Sequence, residues 1–212
     1  MNGYLIYHPS RVVSDFETIR VYHDSNSGNQ DPYIWNQKFL HSYCHITQMS
    51  PKVGDINFWV SGDTFPNFSC LYCDLVFVVA EKLYWQDKNS IETSDPIVDS
   101  NEAYTDHYCW VGHGQHPYRR RRRFTLKADS ESSFQPQNID RELIDVIPFL
   151  LEQGFSLSQL RQNLRSGFNS QSMSLGSVAV ELYSWLSQYA NIKLYGAKLQ
   201  NIRQQNPHLA SL

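Results

Sequence analysis

Apolar residues change their rhythm along this chain. Up to about residue 130 they come in short runs of four to six, the pattern of strands. Tyr4-Leu5-Ile6-Tyr7 reads as a short strand ended by Pro9. Pro51 to Asp55 reads as a turn that opens a second strand, Ile56-Asn57-Phe58-Trp59-Val60, closed by Ser61-Gly62-Asp63. Leu75 to Ala80 is continuously apolar and rich in valine. That predicts a central strand covered on both faces, extendable through Lys82 to Trp85. Arg121 to Ala128 is a further strand, and Ile34 to Gln48, an ambiguous stretch, reads as a short helix carrying Trp35, Phe39 and Leu40 followed by a strand. Asp24 to Asp31 and Gln86 to Asn101 are polar loops.

Asp129 to Gln137, DSESSFQPQ, reads as a linker, although its Phe134 offers a docking side chain. After Asn138 the spacing becomes helical: Ile139, Leu143, Ile144 and Ile147, then Leu157, Leu160 and Leu164, then Val178, Leu182, Trp185, Leu186 and Tyr189. Pro148 starts a helix or kinks one. Ser156 is a natural N-cap with Gly167 as a stop, Ser174 or Ser177 caps the next helix, and 191–202 reads as a last short one. Strands followed by helices predict an α+β fold: a β-rich part over 1–130 and a helical part over 138–212. So small a helical body hides little of its own surface. Trp185, Phe149, Leu150 and Leu151 therefore predict that it packs on the β part as one unit.

The composition fits one domain. The chain has 212 residues, 41% of them hydrophobic, enough for a core. Aromatics are abundant at 14% and charged residues sparse at 18%, a balance that favours β structure and binding surface. Four cysteines are too few for a disulfide scaffold. No secretory signal is read at the N-terminus, and the longest apolar run is far too short to span a membrane. The expectation is a cytoplasmic protein without membrane contact.

Charge changes the picture at one place. The net charge is -3, yet Arg119, Arg120, Arg121, Arg122 and Arg123 stand consecutively. They follow a segment dense in rings, YTDHYCWVGHGQHPY, which holds His107, Trp110, His113 and His116. In a strand, Arg119, Arg121 and Arg123 share one face and Arg120 and Arg122 the other, so a packed central strand cannot hold them all. The run is either an anion site, with guanidinium geometry suited to phosphate, or a charged strand edge that resists aggregation. Asp95, Asp99 and Glu102 are acidic partners within reach in sequence. Flat rings stack on bases, and the three histidines can bond a base edge.

The order Val53-Gly54-Asp55-Ile56-Asn57-Phe58-Trp59-Val60-Ser61-Gly62, then Asp74 to Trp85, resembles PUA-like domains of the ASCH, EVE and nucleotide-modification-associated type over about residues 50–128. There a Gly-Asp turn opens one strand and a following strand carries a V-x-V core. The resemblance implies a small β-barrel whose aromatic-lined pocket takes a nucleobase, with Trp59, Ser61 and Trp110 at the matching positions. Residues 1–50 do not align with it.

Other chemistry is thinner. His41-x-x-x-His45, His113-x-x-His116, His107, Cys109, Cys44 and the Cys70-x-x-Cys73 pair are possible zinc donors. A second cysteine pair is missing, however, and Cys73 opens an apolar strand, so both are expected as metal-free thiols with Cys73 in the core. No nucleophile elbow or phosphate loop is present, and no cofactor is expected. Gln153 to Arg161 is similar to the turn of winged helix-turn-helix regulators of the MerR kind; its plain reading is a capped amphipathic helix. The leading expectation is a nucleic-acid or nucleotide binding module built from Trp59, Ser61, the histidines, Trp110 and the arginines. One alternative is an enzyme on such substrates that uses His107, His113 or His116 as acid, base or metal ligand. Another is an interaction protein whose helical part docks a protein partner.

Overall fold

The computed structural model describes residues 1–7, 12–16, 19–23, 51–84, 124–129, 131–164 and 172–190. The readings of 24–50, 85–123, Gly167 and 191–202 lie outside them. The strands are β1 (Gly3–Tyr7), β2 (Val12–Phe16), β3 (Ile19–His23), β4 (Ile56–Gly62), β5 (Leu71–Tyr84), β6 (Phe124–Ala128), β7 (Ile144–Asp145) and β8 (Met173–Ser174). The helices are α1 (Ile147–Glu152), α2 (Leu157–Asn163) and α3 (Val178–Ser187). The class is α+β, as the change of rhythm predicts.

The main sheet runs β6-β5-β4-β1-β8, with β7 also on β5, and β2 and β3 form a separate hairpin. β1 and β4 are parallel, and the other pairs are antiparallel. The sheet is open among the described residues: β6 and β8 end it on opposite sides, so the closed barrel implied by the family resemblance is not seen there. Among the described residues no helix is long and apolar enough to cross a membrane.

β5 is the spine, and a bulge sets its faces. Trp59 pairs with Leu75 but Val60 pairs with Cys73, so Asp74 is an extra residue on β5. One extra residue reverses the alternation of side chains. Val76 therefore joins Cys73 and Leu71 on the same face, with Phe58, Val60, Leu5 and Tyr7. Leu150, Leu160, Leu164, Leu182 and Leu186 of the helical part complete this cluster. On the other face Ile6, Trp59, Leu75 and Phe77 are also buried, so β5 is covered on both sides as its apolar run predicts.

The helices dock for local reasons. Gly3 passes so close to Ala179 that any side chain there would collide with it. Pro148 opens α1, where its missing N–H costs nothing. Asp145 accepts from Leu71 N and Ile147 N, both at 3.0 Å, and so fixes the start of α1 to the start of β5. Ser156 caps α2 reciprocally with Gln159, which bears out the plain reading of that segment. Ser177 occupies the N-cap of α3 without a side-chain bond.

Two readings are corrected. Residues 131–137 are no linker. The chain from β6 to β7 runs along β5, pairing Ala128 with Val79, Phe134 with Val76 and Ile144 with Cys73. Ser133, Phe134, Gln135 and Gln137 are buried. Phe134 does dock, but its polar neighbours do as much. Ser133 Oγ accepts from Val78 N at 2.9 Å. Gln135 accepts from Tyr22 N, and its amide donates to Tyr22 O at 3.1 Å and Asp74 O at 2.7 Å. Gln137 donates to Arg20 O at 2.7 Å and to Gln135 Oε1 at 3.0 Å. The second correction concerns Ile139, Leu143 and Ile144, which are not helical. Leu143 bridges Gln137, Ile144 belongs to β7, and Ile139 is 93% exposed. Helical spacing there reflects residues shared between an edge strand and the first turn of α1. The β2–β3 hairpin was not foreseen.

Gln135 carries backbone hydrogen bonds for both β3 and β5. Gln135→Ala leaves Asp74 O and Tyr22 N without these partners and should cost about 2–3 kcal/mol. Urea unfolding checks it, and a loss below half a kcal/mol would show the brace to be dispensable. Asn57 is the opposite case. It is wholly buried between Tyr4 and Phe77, and neither amide atom finds a partner. Asn57→Leu should raise stability by about 1–2 kcal/mol in the same measurement, since it replaces an unsatisfied amide by an apolar group of similar size.

Candidate functional site

The C-terminal end of β4 carries Ser61, Gly62 and Asp63, and the chain then loops through 64–70 into β5. Gly62 permits that loop to fold back: a side chain there would strike Phe68 and the Tyr7 ring. The loop is held from three sides. Tyr7 stacks on Phe68 at 5.8 Å and meets Phe65 at 4.8 Å between ring centres. Arg161 of α2 donates from Nε to Phe68 O at 2.9 Å and from Nη2 to Phe68 O at 2.6 Å and Asn67 O at 3.3 Å. Its guanidinium also lies over the Phe68 ring. Asp63 accepts from Ser69 N at 2.7 Å, Ser69 Oγ at 2.6 Å and Cys70 N at 3.1 Å.

Beside this loop lies an open cleft of about 370 Å³. Ser61, Gly62 and Asp63 form one wall, Tyr72 of β5 and Tyr22 of β3 supply rings, and Glu142 and Leu143 are the other described lining residues. The volume falls within the range of small-molecule sites. Ser61 is only 4% exposed, and its hydroxyl makes no hydrogen bond. Tyr22 is set by its hydroxyl, which donates to Arg141 O at 3.0 Å. Glu142 is positioned through its backbone N–H, which donates to Asn138 Oδ1 at 2.9 Å. Tyr72 faces Ser61 across the β4–β5 pair because the bulge at Asp74 sets that register.

The lining is rich in acceptors. Hydrogen bonds from the Ser69 hydroxyl, then from the Cys70 and Ser69 backbone, lower the Asp63 carboxyl to about 2. It is therefore ionised at working pH. The Tyr72 phenol is pushed up to about 12, chiefly by the Cys70 side chain and then by burial, and stays neutral. Among the described residues two carboxylates, Asp63 and Glu142, line the cleft, and no lysine or arginine does.

The expected site residues divide sharply. Ser61 lines the cleft. Trp59 shares its face of β4 but is wholly buried and does not reach the cleft. His107, Trp110, His113, His116 and Arg119 to Arg123 lie outside the described residues, as do His41, Cys44, His45 and Cys109. Cys73 is the core residue it was expected to be: its thiol donates to Leu75 O at 3.7 Å, and burial pushes its pKa up. Cys70 and Cys73 are free cysteines, and among the described residues no three His, Cys, Asp or Glu side chains gather as metal ligands. Sequence reasoning missed Asp63, Tyr72, Tyr22 and Glu142 as site residues. Only Asp63 carried a signal, its place directly after Ser61-Gly62.

A scan against protein-family models finds no match, and comparisons with curated proteins and with solved structures find none either.

The Asp63 carboxyl titrates lower in the folded chain than the usual value of about 4. Its contribution to stability is therefore complete above about pH 4 and is lost as pH falls through about 2. Asp63→Asn should melt with a shallower dependence on pH across that window than the unmodified chain. Parallel curves from pH 5 to pH 2 would show that the 69–70 contacts contribute nothing.

Proposed function

We propose that the protein is a binding module for a nucleotide or single-stranded nucleic acid, with the base and sugar in the Ser61 cleft and phosphates on Arg119 to Arg123. The observation that carries this reading is the Ser61 hydroxyl, nearly buried and unbonded, at the wall of a cleft furnished with two tyrosine rings. A flat ring offers stacking to any base, and polar groups at the wall give the base edge its partners. The carboxylates disfavour phosphate within the cleft, so the anionic part of the ligand belongs elsewhere. Five consecutive arginines are the densest cationic segment of the chain. The likeness of residues 50–128 to PUA-like domains, in which a pocket takes a nucleobase, supports the same reading. A cytoplasmic setting belongs to the proposal, in keeping with free thiols at Cys70 and Cys73.

Fluorescence anisotropy with labelled single-stranded homopolymers tests it. Each phosphate contact contributes about -0.7 to the slope of log affinity against log salt. Replacing Arg119, Arg121 and Arg123 by Ala should weaken binding and flatten the slope by about 2. Ser61→Ala should weaken binding about tenfold at unchanged slope. Absence of binding at low salt, or binding that neither variant alters, would sink the reading.

A further inference from the structure

We infer that the cleft selects its base by an exocyclic amino group, preferring adenine and cytosine to hypoxanthine and uracil. This rests on the nucleotide reading and specifies which edge the wall accepts. The inference comes from a count of donors and acceptors. Asp63 Oδ1 already accepts from two backbone N–H groups, whereas Oδ2 accepts only from Ser69 Oγ and keeps a lone pair. The Glu142 carboxylate is exposed and forms no hydrogen bond, so all its acceptor capacity is available. Neither carboxylate has a donor to offer while ionised, and hydrogen bonds hold Asp63 ionised at neutral pH. The Tyr22 hydroxyl has already given its proton to Arg141 O, which leaves it only lone pairs toward the cleft. Among the described lining residues the remaining side-chain donors are the hydroxyls of Ser61 and Tyr72: the Tyr72 phenol is neutral and engaged by the Cys70 side chain, while Ser61, at the buried end, combines an unused donor with acceptors.

An amino group suits such a wall. It brings two N–H donors, and a carboxylate accepting from a base amine is an established pairing chemistry. A keto oxygen in the same place sets lone pairs against two negative charges, and the ring N–H beside it brings one donor where the amino group brings two. Among the described lining side chains only the Ser61 and Tyr72 hydroxyls could bond it. The hydrogen bonds at stake involve ionised acceptors, the strong class. One such bond on a partly exposed wall corresponds to about tenfold in affinity.

Two matched pairs of ligands carry the amino-to-keto change, together with the ring N–H that accompanies it: adenosine against inosine 5′-monophosphate, and cytidine against uridine 5′-monophosphate. Calorimetric titration of the full chain at one fixed salt concentration should give about tenfold tighter binding for the amino member of each pair. Glu142→Gln keeps the side chain's size, exposes nothing new and offers a donor to a keto group. It should shrink both ratios to about twofold or less. Equal binding of all four nucleotides, or preference for the keto members, would overturn the inference while leaving nucleotide binding intact. Binding of labelled oligonucleotide with no measurable binding of any mononucleotide would also overturn it, because the cleft would then hold no base. Failure of oligonucleotide and mononucleotides alike would remove the nucleotide reading as well.

Discussion

A single inserted residue, Asp74, organises this molecule. Without it, β5 would present Cys73 and Leu71 on the face of Leu75 and Phe77, away from the helices. With it, both join Val76 and Phe58 in the core, and Tyr72 turns to the side of Ser61. The core and the cleft are thus two consequences of one register shift. A bulge frees a backbone group from the ladder. Here Asp74 O is satisfied by the Gln135 amide at 2.7 Å, and that amide reaches Tyr22 as well. The wall of the cleft formed by β3 is therefore tied to the wall formed by β5 through the residue that heals the bulge.

Side-chain amides replace strand pairing along this seam. A buried backbone N–H or C=O must be bonded, but the partner need not be backbone. The β2–β3 hairpin reaches residues 135–141 through Gln135, Gln137 and the Tyr22 hydroxyl. Such a junction tolerates irregular chain where a regular strand would impose its own spacing. It also places Arg141, with its positive φ of 64°, and then Glu142 beside the cleft rather than in line with β7. The cost is concentration of risk: Gln135 is one side chain with several backbone bonds.

The legible parts of the sequence were those where hydrophobic period and position agreed. β1 and β5 declared themselves by continuous apolar runs, β4 by a largely apolar run between turns, α2 by Ser156 with Leu157, Leu160 and Leu164, and α3 by Val178, Leu182 and Leu186. Ser61 was singled out through its likeness to a pocket position, and it does line the cleft. Residues 131–137 were illegible because a serine and glutamine stretch with a proline has the composition of a linker. Only tertiary structure turns those amides into substitutes for backbone. Ile139 to Ile144 misled because two overlapping elements produced a helical spacing that neither has alone. Tyr72 and Glu142 had no sequence signal: one depends on a bulge, the other on a turn whose site is made by a distant strand.

The two charged features of the chain oppose one another, and that opposition is informative. A protein that bound simple anions would not line its polar cleft with Asp63 and Glu142. One that bound simple cations would have no ligand for five consecutive arginines, whose other reading is a charged strand edge. A ligand with a donor-rich, uncharged end and an anionic end satisfies both. A nucleotide has that polarity, with amino groups and ribose hydroxyls at one end and phosphate at the other. The net charge of -3 further means that weak, nonspecific attraction to polyanions is suppressed over most of the surface. In the proposed reading, the arginines serve approach and the acceptor wall serves choice, so that the two features act on opposite ends of one ligand.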